Sequence, residues 1–446
     1  MKGILSVILF FGFTLTLFSQ DITGEKIDKL LSGYTATGKF NGSALIASHN
    51  KVILEKGYGF KNFKESSLND SSTVFQIASI TKQFTSTIIL KLVELNKLSL
   101  SDNLARFYPD FPKGESITIE NLLTHTSGIF DWTKSINFSP TNEKSLIGFL
   151  KTKALDFAPG TTWSYSNSNY SLLGYIIQKV TGMTYENAVR KYIFIPLRMT
   201  NSGFDFKNLK SQDKATGYAV FSDSSKIEGT LYDSVGPFAA GEIYSTVGDL
   251  YKWHKGLQSY KIISRASLEN ACTPFKDHYG YGWIIDSLFN RRITSHSGDI
   301  SGFSSNLARI TEDDYFIILL NNKEGSGLDA ITRNILAIQY DQPYGVPVKR
   351  HPVKLDDEIL KKYIGTYEVM SPHGPILGNV TFEKGKLMMQ AQGSPKLELI
   401  AERADHFFDS YDDTEGDVEF VTGTNGKVTG IILSQNGVRL SGKKIR

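Results

Sequence analysis

Ser79-Ile80-Thr81-Lys82 stands at the head of an apolar-periodic stretch running to about Asn96, with Phe84, Ile88, Leu92 and Leu95 on one face. That period predicts an amphipathic helix. Residues three apart share a helix face, so the Ser79 hydroxyl and the Lys82 amine would lie one turn apart at the exposed start of the helix. An amine so placed can take the proton that makes a serine nucleophilic, and the pair reads as the centre of a covalent serine hydrolase. Spacing alone does not select it, because Ser48-Lys51, Ser211-Lys214 and Ser441-Lys444 share it. Ser48 falls in a predicted hairpin turn, Ser211 in a polar loop and Ser441 beside Gly442 near the C-terminus, whereas Ser79 alone begins a long helix. An N-cap serine followed by a solvated lysine would also account for the motif.

Two further elements bear on the choice. After Phe157-Ala158-Pro159-Gly160, Tyr165-Ser166-Asn167 precedes a helical pattern through Tyr170, Leu173, Ile176 and Ile177. A phenol titrates near pH 10, so Tyr165 can act as a base near neutrality only beside a cation. Lys82 would be that cation. Asn167 can hydrogen-bond the lysine and a substrate amide together, although a turn tyrosine and a capping asparagine remain the plain alternative, and Tyr185-Glu186-Asn187 repeats the spacing. The third element is His296-Ser297-Gly298, between the strand-like Trp283–Ile285 and Arg292–Thr294 and the apolar Tyr315–Leu320. A glycine in such a strand lets a substrate backbone lie against it. His278-Tyr279-Gly280 has the same form, and a lone histidine is more often structural.

Composition narrows the partner. The 446 residues carry 49 basic and 46 acidic side chains, a formal charge of +3, with 40% hydrophobic and 21% charged residues. This length exceeds one compact core. No basic run or aromatic-basic interleaving points to nucleic acid, so a small, neutral or polar partner is expected. Cys272 is the sole cysteine, which excludes an intramolecular disulfide and a cysteine metal site. Neither a His-Glu-x-x-His, a Gly-x-Gly-x-x-Gly, a phosphate-loop lysine nor a Gly-x-Ser-x-Gly occurs, so the commonest metalloprotease, nucleotide and α/β-hydrolase signatures are missing. No metal or cofactor is expected.

Lys2 and the apolar run Ile4–Phe18, followed by Ser19-Gln20-Asp21, read as a secretory leader. The run is shorter than the ~20 residues of a membrane span, and a secreted or periplasmic product follows, with membrane attachment only through an uncleaved leader. Downstream, Gly42–Ala47 and Val52–Gly57 read as a hairpin about Ser48–Lys51. Ser101-Asp102 and Ile117–Glu120 read as helix starts, and Ser245-Thr246 before Asp249 as an N-cap. Gln342-Pro343-Tyr344-Gly345-Val346-Pro347 and Pro352 form a stiff linker. Beyond it Thr381–Gln390, Val418–Val421, Val428–Ser434 and Val438–Ser441 read as strands, with hairpin turns at Asn425-Gly426 and Asn436-Gly437. The expected organisation is a leader over 1–20, a main domain over 21–340, a linker over 341–354 and a small antiparallel barrel or sandwich over 355–446.

In order and surroundings these motifs resemble the serine β-lactamase and penicillin-binding-protein family, in its class C β-lactamase, DD-peptidase and serine esterase branch. The resemblance runs from about Phe40 to Asn322. It includes Leu122-Leu123-Thr124-His125-Thr126-Ser127-Gly128, Pro159-Gly160, Leu173-Gly174-Tyr175-Ile176-Ile177, Ala239-Ala240-Gly241 leading to Ser245-Thr246 and Asp249-Leu250, Tyr281-Gly282-Trp283, and Gly302-Phe303. It implies an α+β fold, an antiparallel sheet flanked by helices plus a helical subdomain. The C-terminal stretch, opening with Tyr363-Ile364-Gly365-Thr366-Tyr367, resembles the lipocalin-like β-barrel domain appended to such enzymes.

The resemblance implies that Ser79 attacks a carbonyl, Lys82 and Tyr165 shuttle protons, Asn167, His296 and Gly298 bind substrate, and the N–H groups of Ser79 and Asp299 hold the oxyanion. Many members carry lysine where this chain has His296. A histidine is mostly neutral at pH 7 and Asp299 adds a negative charge, which moves the expectation from a dedicated β-lactamase toward a DD-carboxypeptidase-like or D-amino-acid-directed peptidase or an esterase. Substrates would be small peptides, amides, esters or β-lactams, with peptidoglycan as a wall partner. A non-catalytic wall-binding or scaffolding module is the alternative class. Glu242 reads as a solvated loop carboxylate in preference to a residue lining the cleft, His125 as structural, and Trp132, Tyr232 and Tyr279 as pocket wall or packing.

Overall fold

A computed structural model describes residues 22–222, 225–232, 236–325, 327–371, 374–391, 395–409, 416–435 and 438–446. The expected leader and the Asn436-Gly437 turn lie outside these residues. The chain divides into two compact units, one built on Gly38–Thr332 and the other on Glu25–Thr37 with Arg333–Arg446.

The first unit is organised by a six-stranded antiparallel sheet. Its strands are β1 (Gly42–Ser48), β2 (Lys51–Tyr58), β3 (Ile284–Leu288), β4 (Arg291–Ile300), β5 (Phe303–Ile310) and β6 (Tyr315–Asn321), in the order β2-β1-β6-β5-β4-β3. Every residue of β1, β5 and β6 is buried, so these central strands are apolar without strict alternation, as in a sheet covered on both faces. Edge strand β2 exposes Lys51, Glu55 and Lys56, charges that discourage pairing with another chain. The hairpin expected about Ser48–Lys51 is present.

Helix α1 (Thr81–Glu94) departs from the amphipathic expectation. It is buried almost all round from Thr81 to Leu90, while Leu95 follows its end and is exposed. Buried polar atoms on it find partners inside the fold, as where Thr85 Oγ1 donates to Ala239 O at 2.7 Å and Gln83 Oε1 accepts from Trp253 Nε1 at 3.2 Å, although Gln83 Nε2 is left without one among the described residues. Helix α2 (Asn167–Thr181) stops at Gly182, whose φ of +69° suits a left-handed cap. Helix α3 (Val247–Gln258) starts as expected, with Thr246 Oγ1 accepting from Asp249 N at 3.2 Å, and it packs on β1 and β6. Of the two short helix starts expected upstream, the one at Ser101-Asp102 is shifted and the one at Ile117–Glu120 is as expected. Asn103, rather than Ser101 or Asp102, caps the turn Leu104–Arg106, and Thr118 forms a capping box with Asn121 ahead of Ile119–Leu123.

In the second unit eight antiparallel strands close into a barrel, β7 (Gly365–Ser371), β8 (Gly374–Glu383), β9 (Lys386–Ala391), β10 (Leu397–Arg403), β11 (His406–Asp409), β12 (Asp417–Thr422), β13 (Val428–Gln435) and β14 (Val438–Lys444). Pairs such as Tyr367 with Lys444 close it. Its interior holds Tyr367, Val369, Leu387, Leu399, Phe407, Phe420 and Ile431. The run Thr381–Gln390, expected as one strand, is a hairpin: Lys384 and Gly385 take φ of +51° and +82° and turn the chain. The α+β class with an appended antiparallel barrel is as expected.

Candidate active site

The backbone leading to Ser79 is clamped on two sides. Phe75–Gln76 pairs with Tyr244–Ser245, Ile77 N donates to Ile243 O at 3.0 Å, and Ile77 O accepts from Ser305 Oγ of β5 at 2.8 Å. Ala78 is then forced to a φ of +45°, a left-handed conformation that costs an L residue of order 1 kcal/mol. One 3-10 turn, Ala78–Ile80, carries Ser79 into α1. The helix start expected at Ser79 is therefore this turn, and it is enclosed by protein.

Lys82 is 0% exposed. Its Nζ lies 3.0 Å from Ser79 Oγ, 2.9 Å from Asn167 Oδ1 and 2.8 Å from Ala240 O. Three partners match an ammonium's three N–H groups. They equally match a neutral amine that donates to Asn167 and Ala240 while its lone pair accepts the Ser79 proton. Burial pushes the amine down from 10.5 to about 7, opposed by the negative charge of Asp131. Both forms are thus accessible near neutrality.

Tyr165 is half-buried, and the Lys82 Nζ sits 4.8 Å from its ring centre. Burial raises its phenol well above the usual 10, a hydrogen bond with Ser79 opposes this, and the Asp131 charge adds to it. Burial thus works against a Tyr165 phenolate and toward a neutral Lys82 amine, which favours the lysine as the base of the pair. The Tyr165 segment is braced by His125, a buried residue with φ of +58° whose Nδ1 accepts from Ser166 N at 3.2 Å and whose ring lies 4.5 Å from that of Tyr165. His125 is structural, as expected.

Asn167 opens α2 and reaches the same cluster. Its Nδ2 faces Asp131 Oδ2 at 3.4 Å and Thr133 Oγ1 at 3.5 Å, which leaves Oδ1 to accept from Lys82. Asp131 is 5% exposed and is the functional-site residue that sequence reasoning missed. Its loop is tied to α2, since Ser168 Oγ donates to Phe130 O at 2.7 Å and accepts from Trp132 N at 3.0 Å.

Strand β4 forms the opposite wall. A Cβ on Gly298 would fall 2.5 Å from Ile77 O and 2.8 Å from Ser79 N, so this glycine makes room for the nucleophile's own backbone. This constraint on the nucleophile's backbone is additional to the expected seat for a substrate backbone along the strand. Asp299 follows it, exposed, with a carboxyl raised by partial burial and by Asp329 and Glu324, against a backbone hydrogen bond from Gly325. His296 is buried and faces away from solvent: Nδ1 donates to Ser297 O at 2.6 Å and Nε2 accepts from Tyr279 OH at 3.0 Å. Burial and the Lys82 charge hold it down at about 3, so it is a neutral wall. Tyr279 is buried behind it, Trp132 is half-buried and Tyr232 is exposed. Glu242 is buried too, at 6% exposure, and its reading as a solvated loop carboxylate is overturned. Among the described residues no cluster of three His, Cys, Asp or Glu is placed to hold a metal, and no helix is long and apolar enough to cross a membrane.

The family described as Beta-lactamase matches residues 27–342. The chain belongs to that family. Residues 349–444 match a domain of unknown function, DUF3471. Penicillin-binding protein 4* of Bacillus subtilis is 29% identical over 400 residues, 83% of this chain and 88% of that relative. Putative penicillin-binding protein PbpX of the same organism is 35% identical over 256 residues, 57% of this chain and 64% of its own length. Among solved structures, the octameric penicillin-binding protein homologue from Pyrococcus abyssi is 27% identical with a TM-score of 0.66, covering 94% of this chain and 99% of that one. The D-amino acid amidase from Ochrobactrum anthropi shares the fold, with a TM-score of 0.62 at 23% identity over 72% of this chain and 98% of its own.

Proposed function

We propose that this chain is an exported serine hydrolase that forms an acyl-enzyme on Ser79 and acts first as a DD-carboxypeptidase-like or D-amino-acid-directed peptidase. The observation that carries the reading is the buried Lys82 amine, 3.0 Å from Ser79 Oγ and brought down to about 7. Penicillin-binding relatives at 29% and 35% identity support the substrate class, and the apolar leader in residues 1–20 supports export.

In the reaction, the Ser79 proton passes to neutral Lys82 as Oγ bonds to the substrate carbonyl carbon and the carbonyl oxygen becomes an oxyanion. The backbone N–H groups of Ser79 and Asp299 receive that oxyanion, where one donor is typically worth ~10²–10³ in rate. As the C–N or C–O bond breaks, the proton moves from Lys82 through Tyr165 to the leaving group. Tyr165 fits this relay because its phenol stays protonated while the amine beside it cycles. Water, deprotonated along the same path, then attacks the acyl carbon and releases Ser79.

An esterase reading rests on His296. A neutral, fully hydrogen-bonded imidazole gives the cleft wall no cation for a substrate carboxylate, which favours substrates without one.

Mass spectrometry tests both. A fluorophosphonate or penicillin adduct on Ser79, absent in Ser79→Ala, is expected, and relative kcat/KM on an acyl-D-Ala-D-Ala peptide, a p-nitrophenyl ester and a chromogenic cephalosporin ranks the substrates. Well-folded protein that takes no adduct and turns over none of the three would overturn the hydrolase reading in favour of the non-catalytic class.

A further inference from the structure

We propose that the first unit binds a small organic anion in a second pocket, where the helix Arg265–Ala271 meets β4 and the end of β5. The cavity measures about 290 Å³, near the lower end of the ~300–1,000 Å³ typical of small-molecule sites. None of the residues around Ser79 lines it.

Arg309 carries the argument. Its side chain is 1% exposed, and a buried guanidinium ordinarily has a carboxylate against it. Here Nε donates to His254 Nδ1 at 3.1 Å and Nη2 to Gln258 Oε1 at 3.1 Å, both uncharged acceptors. Asp314 reaches the guanidinium only through the imidazole, with Oδ1 3.4 Å from His254 Nε2. No acceptor among the described residues takes the N–H groups of Nη1, and the Arg309 side chain borders the cavity.

Arg292 adds a second guanidinium. One of its Nη2 hydrogens goes to Cys272 O, and no carboxylate pairs with it among the described residues. It shares a face of β4 with Thr294, whose register partner on β5 is Arg309, so both cations and the Thr294 hydroxyl converge on one wall. The remaining charges do not cancel them. Arg265 and Glu269 pair with each other, Nε to Oε1 at 2.7 Å, and Glu312 is exposed at the rim. Arg309, which also lies over the Trp283 ring at 5.6 Å, and Arg292 have no directly paired carboxylate among the described residues, and against the one rim carboxylate they leave the pocket cationic. Its floor is apolar, from Leu268 and Cys272. Paired cations over such a floor recognise a carboxylate on a compact aromatic or aliphatic body, with charge-assisted hydrogen bonds at one end and burial at the other.

Calorimetric titration of full-length Ser79→Ala protein with benzoate, benzamide and inorganic phosphate tests this. Benzoate is expected to bind one to one and saturably below ~10 mM. Benzamide and phosphate should each bind about tenfold more weakly, as should benzoate to Arg292→Gln, because a charge-assisted bond or the apolar contact is lost. Arg292 is exposed, so its replacement leaves the fold intact, and the cavity-filling Leu268→Trp should abolish binding. Equal affinity for benzoate and benzamide, equal affinity for phosphate, or benzoate binding unchanged in both variants overturns the proposal, as does no saturation below that limit.

Discussion

Glu242→Gln should remove a pH dependence from the stability of the larger unit. Glu242 follows the one-turn helix Phe238–Gly241, buried and without an ion-pair partner among the described residues. Burial, with the negative charges of Glu186 and Asp205, pushes its carboxyl up from the usual 4.5 to about 8. Between those two values the folded state keeps a proton that the unfolded chain releases, so the stability is full at the acid end and is lost as pH rises through the window. At ~1.4 kcal/mol per pH unit the ceiling is about 5 kcal/mol, and the loss from pH 5 to pH 9 comes to about 4 kcal/mol. Glutamine has nearly the same shape and cannot ionise, so Glu242→Gln should stabilise strongly at pH 9 and by under about 1 kcal/mol at pH 5. Urea unfolding at pH 5, 7 and 9 read by tryptophan fluorescence is the assay. Trp132, Trp163, Trp253 and Trp283 are the chain's four tryptophans and all lie in the first unit, so the signal does not mix in the barrel. Parallel stability curves for the two proteins would refute the reasoning, since they would mean that an ionised Glu242 is accommodated without cost.

The remaining expectations concern the reaction. With Lys82 acting as a neutral base, kcat/KM should rise with pH to a half-maximum near 7, and a flat profile from pH 5 to 9 would contradict it. Asp131→Asn takes away the charge that favours the ammonium, so that half-maximum should move to lower pH by up to about one unit, while the plateau falls as Asn167 loses its anchor. Movement to higher pH would show that Asp131 does not act on Lys82. Gly298→Ala would set a methyl 2.5 Å from Ile77 O and 2.8 Å from Ser79 N. It should lower kcat by about 10²–10³ through the displaced oxyanion donor, with KM little changed, and retention of full kcat would show that the backbone contact is slack.

What could be read from the sequence was local, and what escaped it was tertiary. The motifs at Ser79, Tyr165 and His296 were visible because turn and helix-start signals set them apart, and the structure gathers Ser79, Lys82, Tyr165 and Asn167 into hydrogen-bonding range. Asp131 escaped because its relation to Asn167 spans 36 residues and exists only once the Phe130–Trp132 loop is laced to α2. Its one sequence signal was its place just after Thr126-Ser127-Gly128. Glu242 was misread for the reverse reason: its neighbours Gly241 and Ser245-Thr246 look like a loop, and nothing local says that the fold will bury the carboxylate. In the barrel, the Lys384-Gly385 turn was hidden inside a run of strand formers.

The enclosed Lys82 amine has one more consequence, for the molecule's endurance. Because folding lowers its affinity for protons, the unfolded chain is the better proton holder from about pH 7 to 10.5, and stability contributed by this residue grows with pH across that range. Glu242 works in the opposite sense below pH 8. Between these two groups the summed contribution to durability is lowest around pH 7–8, the same interval in which the nucleophile is armed.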